Sequence, residues 1–141
     1  MSNNRFFVDT FFIQALLNAS DQYHDKALEI WPEVTEATEV WITEAVIVEI
    51  GNALSAVDRE KATVFINGVY ENPDPNLRLV SVDTALMRRA LNLYKGRPDK
   101  SWGFTDCISF VVMRDNHLEQ ALTGDRHFTQ AGFVAVLAAD A

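Results

Sequence analysis

Short, continuously apolar runs alternate along this chain with longer segments that have helical periodicity, and this alternation constrains the fold more than any other feature. Apolar runs of this length are typical of strands that are buried on both faces of a sheet. Five such runs occur, at 5–9, 40–42, 77–82, 121–123 and 133–137. Their alternation with helices predicts an α/β fold, a three-layer α/β/α sandwich around a mostly parallel central sheet.

The segments between the apolar runs predict helices. Thr43, Asp58 and Asp83 are suitable N-cap residues for three of them. Pro32 lies inside another helical pattern and is expected to kink or split it. Helices are expected over 10–18, from Ser20 or Asp21 to about 36, over 44–57 and 58–70, from 84 onwards, and from Thr105 or Asp106 to about 116. Loops are expected at 72–76 and 95–103.

The length of 141 residues, 48% of them apolar, predicts a single domain over 1–141 with a substantial core. No apolar run approaches the roughly 20 residues of a membrane helix, so no membrane partner is expected. The N-terminus has no apolar signal-peptide core, and a cytoplasmic location is the expectation. Because Cys107 is the single cysteine, an internal disulfide and a cysteine-rich zinc site are excluded.

The formal charge of −8 at first argues against a nucleic-acid partner, but the charge is unevenly distributed. Residues 21–60 contain ten acids and two bases, whereas seven of the twelve bases lie between Arg88 and Arg126. A basic rim beside a functional site is therefore compatible with an acidic protein. The acidic segment is explained equally well as a solvated surface.

Four carboxylates lie at the edges of apolar segments and are candidates for one functional site: Asp9, Glu49, Asp106 and Asp125. Asp9 ends the first predicted strand, and Asp125 follows the fourth. Ligands of an open parallel sheet lie beyond the carboxyl ends of its strands, so the four acids are able to converge there. Clustered carboxylates repel one another, and a divalent cation removes that conflict.

Magnesium and manganese are the expected cofactors because both prefer oxygen ligands. No histidine has zinc-like spacing to another histidine or to Cys107. A bound ion of this kind coordinates a phosphate oxygen, lowers the pKa of a bound water and stabilises the leaving oxygen, which predicts a nuclease. One ion and two ions fit the sequence equally well.

Each acid also has a purely structural interpretation. Asp106 is suited to the first turn of a helix, where the helix dipole stabilises it. Asp125 is suited to a turn. Glu49 lies within an apolar helix stripe, and a salt bridge to an arginine would explain it there. A purely structural role explains Asp9, at a strand end, least well of the four acids.

Neighbouring polar residues are candidates for supporting roles. Hydroxyl and amide groups next to the acids are placed to orient carboxylates or metal-bound water, although capping and strand propensity explain them nearly as well; they are Thr10, Thr105, Thr123 and Asn52. Candidates for contacts with a nucleic-acid backbone, or simply solvated charges, are Arg97, Lys100, Arg114, Arg126 and His127. Trp102 either stacks on a base or fills the core.

Four segments, taken in order, resemble the motifs of the PIN-domain family, with the VapC-like toxin ribonucleases of bacterial toxin–antitoxin systems as the most similar branch. The segments are Phe7-Val8-Asp9-Thr10, Glu49-Ile50-Gly51-Asn52-Ala53-Leu54, Phe104-Thr105-Asp106-Cys107 and Leu122-Thr123-Gly124-Asp125-Arg126-His127-Phe128. The resemblance covers nearly the whole chain. One departure is Ser101-Trp102-Gly103, where similar members often have Asp-Trp-Ser.

The resemblance implies a PIN-like α/β/α fold and Mg²⁺- or Mn²⁺-dependent cleavage of RNA. It implies that Asp9, Glu49, Asp106 and Asp125 form the acidic metal site. It also implies a homodimer and a small antitoxin partner. The alternative is a catalytically inactive PIN-like module that binds RNA or protein. A phosphotransfer enzyme or receiver domain is disfavoured, because Phe11 stands where a second acid is needed and no lysine follows Lys100.

Overall fold

A five-stranded, fully parallel sheet forms the centre of the computed structural model, which describes residues 4–71 and 74–138. The strands are β1 (Arg5–Val8), β2 (Glu39–Thr43), β3 (Leu77–Val80), β4 (Gln120–Leu122) and β5 (Val134–Ala135). Their order in the sheet is β3-β2-β1-β4-β5, and each neighbouring pair is parallel. The first strand therefore lies in the middle, with β4 directly beside it.

Seven helices flank the sheet. They are α1 (Thr10–Leu17), α2 (His24–Thr35), α3 (Glu44–Leu54), α4 (Arg59–Glu71), α5 (Thr84–Gly96), α6 (Phe104–Asp115) and α7 (Arg126–Gln130). Helix α1 packs on α2 and α3, and α5 packs on α6. The α/β/α sandwich with a parallel central sheet is thus confirmed. None of the helices in the described residues is both long and apolar enough to span a membrane.

Three predicted helix starts are confirmed by hydrogen bonds to the first turn. Thr43 Oγ1 accepts from the Val46 amide at 3.2 Å. Asp58 Oδ1 accepts from the Lys61 amide at 3.0 Å, and Asp83 Oδ1 accepts from the Leu86 amide at 2.8 Å. Each bond satisfies an amide that has no partner within its own helix, which is why these polar residues fix where the helices begin.

Several predicted boundaries were wrong. Helix α2 begins at His24, because Asp21 Oδ1 accepts from the Tyr23 amide at 2.8 Å and holds a turn there. Pro32 does not split α2, which continues to Thr35. Helix α3 ends at Leu54 rather than at 57, and α5 extends to Gly96 into the expected loop. Within the expected loop at 72–76, residues 72 and 73 lie outside the described residues.

A cluster of aromatic rings joins the centre of the sheet to α6 and α7. The Phe110 ring lies 5.0 Å from that of Phe128 and 5.0 Å from that of Trp102, in edge-to-face geometry. Phe128 also packs on Phe7 of β1, with the ring centroids 6.5 Å apart. Both Phe110 and Phe128 are fully buried. Because α6 carries Asp106 and α7 follows Asp125, this packing fixes the two acids relative to β1.

Candidate metal centre

Asp9 lies at the carboxyl end of β1, immediately before α1, with 7% of its surface exposed. Thr123 Oγ1 donates a hydrogen bond to Asp9 Oδ2 at 2.8 Å. The pKa of the Asp9 carboxyl is raised to about 7, chiefly by burial; the negative charges of Asp106 and Glu49 also raise it, and the Thr123 hydrogen bond opposes them. A buried carboxyl of this kind loses its proton most readily when a cation lies beside it.

Asp106 lies in the first turn of α6 and has two roles at once. Its Oδ2 accepts from the Gly103 amide at 3.0 Å, which closes the start of the helix. The same atom lies 2.9 Å from Nδ1 of His127. Burial raises the pKa of Asp106, and the neighbouring Asp125 charge also contributes. Asp106 therefore both stabilises the start of α6 and lies among the other acids.

Asp125 is the N-cap of α7, a helix that the sequence did not predict. Its Oδ1 accepts from the His127 amide at 2.8 Å, and the Asp125 amide donates to Thr123 Oγ1 at 3.1 Å. The single Thr123 hydroxyl thus contacts both Asp9 and the backbone of Asp125. The carboxyl ends of β1 and β4 are adjacent in the sheet, which brings these residues together.

Glu49 points from α3 towards the start of α1. Thr10 Oγ1 donates to Glu49 Oε1 at 2.7 Å. No arginine lies within ion-pair distance of Glu49 in the described part of the chain, so the salt-bridge explanation does not apply there. Glu49 also lines an open cavity of about 540 Å³ together with Asn52 and Thr105.

His127 belongs to the acid cluster, a placement that the sequence analysis missed. Its Nδ1 lies 2.9 Å from Asp106 Oδ2 and 3.4 Å from Asp125 Oδ1. One ligand atom from each of these three residues falls within 4.8 Å of the others, a spacing that could hold a metal ion. Spacing among the histidines and Cys107 does not reveal this position, because the partners of His127 are aspartates. The sequence signal for this contact is the two-residue separation between Asp125 and His127, which are close in the structure.

Gly124 permits the close approach of the loop after β4 to α1. A Cβ atom at this position would lie 2.6 Å from Cζ of Phe11 and 2.9 Å from its Cε1. The Phe11 ring is itself held edge-to-face against Tyr23, with centroids 4.8 Å apart. The absence of a side chain at Gly124 is therefore what allows Thr123 and Asp125 to approach Asp9.

The remaining candidate residues lie at several places in the fold. Arg97 bonds both carboxylate oxygens of Asp99 and lies over the Trp102 ring at 5.1 Å. Arg114 lies over Phe133 at 6.0 Å, whereas Arg126 is exposed at the start of α7. Trp102 is 5% exposed, and its Nε1 donates to Gln130 Oε1 at 3.0 Å. Of the two interpretations of Trp102, core filling is the one that the structure supports.

The donor set fits a hard divalent cation. Burial and mutual repulsion raise the pKa of both Asp9 and Asp106, as expected for acids grouped without a counter-charge. Oxygen donors predominate, which suits Mg²⁺ and Mn²⁺, and the imidazole nitrogen adds a donor that transition ions accept more readily than Mg²⁺. Among the described residues, Asp106, Asp125 and His127 are the ones whose ligand atoms lie close enough together to hold an ion, and Asp9 interacts electrostatically with Asp106 and with Glu49.

Comparison with known proteins identifies the family. The PIN domain model matches residues 6–134. The chain belongs to the PIN-domain family. The resemblance inferred from the four motifs is therefore confirmed, and the match runs from β1 to β5.

One relative is similar to this chain both in sequence and in structure. The chain is 29% identical over 130 residues to the 23S rRNA-specific endonuclease VapC20 of Mycobacterium tuberculosis, covering 92% of this chain and 96% of the relative. The crystal structure of that protein, described as a Sarcin-Ricin loop cleaving toxin, superposes with a TM-score of 0.80 at 28% identity. The structural match covers 92% of this chain and 96% of the VapC20 chain.

More distant structures share the fold alone. FitAcB from Neisseria gonorrhoeae matches with a TM-score of 0.60 at 16% identity, covering 92% of this chain and 94% of its own. VapBC2 from Rickettsia felis, bound to a DNA fragment from its promoter, also has a TM-score of 0.60, at 11% identity. That match covers 93% of this chain and 96% of the VapBC2 chain. At these identities the neighbours support the PIN fold of this chain.

Proposed function

We propose that this protein is a metal-dependent endoribonuclease and the toxin of a toxin–antitoxin pair. The observation that carries the proposal is the grouping of acids at the carboxyl edge of the sheet. Ligand atoms of Asp106, Asp125 and His127 lie within 4.8 Å of one another, and the Thr123 hydroxyl joins Asp9 to the backbone of Asp125. A module that only binds RNA or protein has no need of clustered acids at this edge of the sheet. The VapC20 relative, named as an rRNA endonuclease, supports RNA as the substrate.

The acids have distinct roles in this proposal. Asp9, Asp106 and Asp125 hold a Mg²⁺ or Mn²⁺ ion, which when bound polarises the phosphate and activates water for hydrolysis. Glu49, fixed by the Thr10 hydroxyl, is either a further ligand or the group that orients the attacking water. Thr123 keeps Asp9 oriented through its hydrogen bond to Asp9 Oδ2. Thr105 and Asn52 line the open cavity beside Glu49 and are candidates for orienting water there.

We propose that basic residues contact the RNA phosphates; most follow α5 or start α7, whereas Arg114 lies in the last turn of α6, away from Asp106. Arg97, Lys100, Arg114, Arg126 and His127 are the candidates. His127 differs from the others because it already contacts Asp106 and Asp125. Phosphate contacts made by exposed bases bind RNA in a salt-dependent and largely sequence-independent manner.

We also propose two protein partners. A small antitoxin is supported by the VapC20 relative, which is described as a toxin. A second copy of the chain is supported by exposed apolar side chains on one side of the molecule. Met87 and Leu91, one turn apart on α5, are 41% and 43% exposed, and Val48, which shares a cavity with Met87, is 61% exposed.

The test of the enzymatic proposal compares RNA cleavage by the parent, Asp106→Asn and Asp115→Asn. Asp115 lies at the other end of α6, where it pairs with Arg89, so it controls for loss of an acid from the same helix. Asparagine retains an oxygen that can accept from the Gly103 amide, so Asp106→Asn is expected to fold. A Sarcin-Ricin loop hairpin, transfer RNA and an unstructured RNA are each incubated with Mg²⁺, Mn²⁺ or EDTA.

We expect metal-dependent cleavage by the parent and by Asp115→Asn, and its loss in Asp106→Asn. Equal cleavage by the parent and Asp106→Asn would contradict the assigned site. Binding of RNA without cleavage by any of the three proteins would instead support the inactive binding module.

A further inference from the structure

A cleft with cationic side chains lies directly beside the acid cluster. It has a volume of about 460 Å³ and is formed by the end of α5, the loop after it and the start of α6. We call it the α5–α6 cleft; its lining includes Tyr94, Lys95, Arg97, Lys100, Ser101 and Trp102. Its volume lies within the roughly 300–1,000 Å³ of typical small-ligand sites.

The charge of the α5–α6 cleft is opposite to that of the protein, whose net charge is −8. Asp99 forms two hydrogen bonds to Arg97, at 3.1 and 3.0 Å, and its Oδ2 lies 3.9 Å from Lys100 Nζ. Lys95 is exposed and forms no ion pair within the described residues. Asp99 offsets the charge of one of the three bases Lys95, Arg97 and Lys100. The two remaining positive charges, on Lys95 and Lys100, attract phosphate.

An aromatic ring stands at the edge of the same cleft. Tyr94 is 49% exposed, and the ring of Phe104 braces it edge-to-face with centroids 5.7 Å apart. An exposed, braced ring is suited to stack on a nucleic-acid base. Trp102 is not available for this role, because it is buried against Phe110 and covered by Arg97.

The cleft is continuous with the acid cluster. Ser101, which lines the cleft, has its Oγ 3.3 Å from Nε2 of His127, and Nδ1 of the same ring lies 2.9 Å from Asp106. Cys107, another lining residue, directly follows Asp106. A strand whose phosphate lies at the acids can therefore place its neighbouring nucleotide in the cleft.

We infer that the α5–α6 cleft binds one unpaired RNA nucleotide next to the bond that is cut. This inference rests on the proposed ribonuclease function and adds a substrate subsite to it. The Tyr94 ring stacks on the base, and Lys95 and Lys100 contact the flanking phosphates. Arg97, which donates to Asp99 and lies over the Trp102 ring, also shapes the cleft. Since stacking needs an unpaired base, the cleft selects single-stranded segments or loops over duplex.

The test measures RNA binding by fluorescence anisotropy in the non-cleaving Asp106→Asn background, with Mg²⁺ present. Tyr94→Ala is compared with Tyr94→Phe, which keeps the ring. Lys95→Ala and Lys100→Ala are compared with Arg59→Ala, an exposed base on α4. Each protein is titrated with a labelled single strand and a labelled duplex over a series of salt concentrations, and its oligomeric state is measured by light scattering.

We expect Tyr94→Ala to weaken single-strand binding roughly 5- to 100-fold and duplex binding much less, whereas Tyr94→Phe binds like the parent. Each lysine substitution should reduce the slope of log affinity against log salt by about 0.7, the value for one phosphate of a single strand. Arg59→Ala should leave the slope unchanged.

Two results would overturn the inference and leave the ribonuclease function intact. One is parent-like RNA affinity and salt slope in the Tyr94→Ala, Lys95→Ala and Lys100→Ala variants while the parent cuts RNA. The other is a Tyr94→Ala variant that dissociates into monomers without losing RNA affinity, which would place Tyr94 at a subunit contact. A parent that neither binds nor cuts RNA would contradict both the subsite and the proposed function.

Discussion

The hydroxyl of Thr123 donates a 2.8 Å hydrogen bond to Asp9 Oδ2, joining two residues that are 114 positions apart in the sequence. The same oxygen accepts from the Asp125 amide at 3.1 Å. Thr123 is fully buried and lies just beyond β4, beside the end of β1. One side chain thus sets the spacing between two of the four acids.

Replacing Thr123 with valine should destabilise the protein. The substitution preserves shape but removes the donor to Asp9 and the acceptor for the Asp125 amide. Leaving buried polar groups unpaired costs about 1–3 kcal/mol. Urea denaturation of Thr123→Val should show a loss of this size, whereas Thr123→Ser, which keeps the hydroxyl, should lose less. Equal stability of Thr123→Val and the parent would show that the bond contributes nothing.

The raised pKa of Asp9 predicts that the metal-free protein becomes less stable as pH rises. Burial holds this pKa at about 7 in the folded chain, above the ordinary value of 3.8. The folded state therefore binds the proton more tightly, so this contribution is fully present below about pH 4 and is lost as pH rises through about 7. In EDTA, the parent should lose on the order of 2–3 kcal/mol relative to Asp9→Asn between about pH 5 and about pH 8.

Denaturation of both proteins at the two pH values measures this difference. Asparagine at position 9 can still accept from Thr123, so the comparison isolates the titration. Addition of Mn²⁺ at the higher pH should restore the stability of the parent and leave Asp9→Asn unchanged. The same pH response in both proteins would mean that Asp9 is not the titrating group.

Substitution of Gly124 with alanine should disturb the site through Phe11. The new Cβ would lie 2.6 Å from the ring, which must shift against Tyr23 or move the loop that carries Thr123 and Asp125. Overpacking of this kind costs about 1–3 kcal/mol. Thermal and urea denaturation should show this loss. Gly68→Ala is the matched control, since nothing lies within 4 Å of its added Cβ; its helical position favours a small gain.

Removal of the His127 imidazole should change metal preference. Its Nδ1 lies near Asp106 and Asp125, and an imidazole nitrogen suits Mn²⁺ better than Mg²⁺, which takes oxygen ligands. We expect His127→Ala to lower Mn²⁺ affinity about tenfold or more, and to lower Mg²⁺ affinity less. Calorimetric titration with each ion gives the ratio. An unchanged ratio of the two affinities would exclude His127 as a ligand.

The fold and the edge of the sheet that carries the acids could be predicted from the sequence because they depend on strong, short-range patterns. Continuous apolar runs such as Phe6–Val8 can be satisfied only by burial on both faces, which predicts a parallel sheet. Parallel strands share a carboxyl edge, and this places Asp9 and Asp125 on the same side. The caps at Thr43, Asp58 and Asp83 followed from local hydrogen bonding.

The remaining features depend on contacts that the sequence does not reveal. Helix α7 has five residues, too few to show a helical period, so the position of His127 against Asp106 was missed. The choice between stacking and core filling for Trp102 depended on the distant Phe110 and Gln130. The start of α2 depended on whether Asp21 caps the helix or closes a turn to Tyr23, two bonds that the same residue can make.

Titration of the protein with Mn²⁺ by calorimetry tests most directly the claim that the acids form one cation site. The titration is made on the parent, Asp9→Asn, Asp106→Asn and Asp115→Asn at equal concentration. A single cation site predicts saturable Mn²⁺ binding by the parent and by Asp115→Asn, and its loss or severe weakening in both Asp9→Asn and Asp106→Asn. Undiminished binding in those two variants, or a folded parent that binds no Mn²⁺, would contradict it.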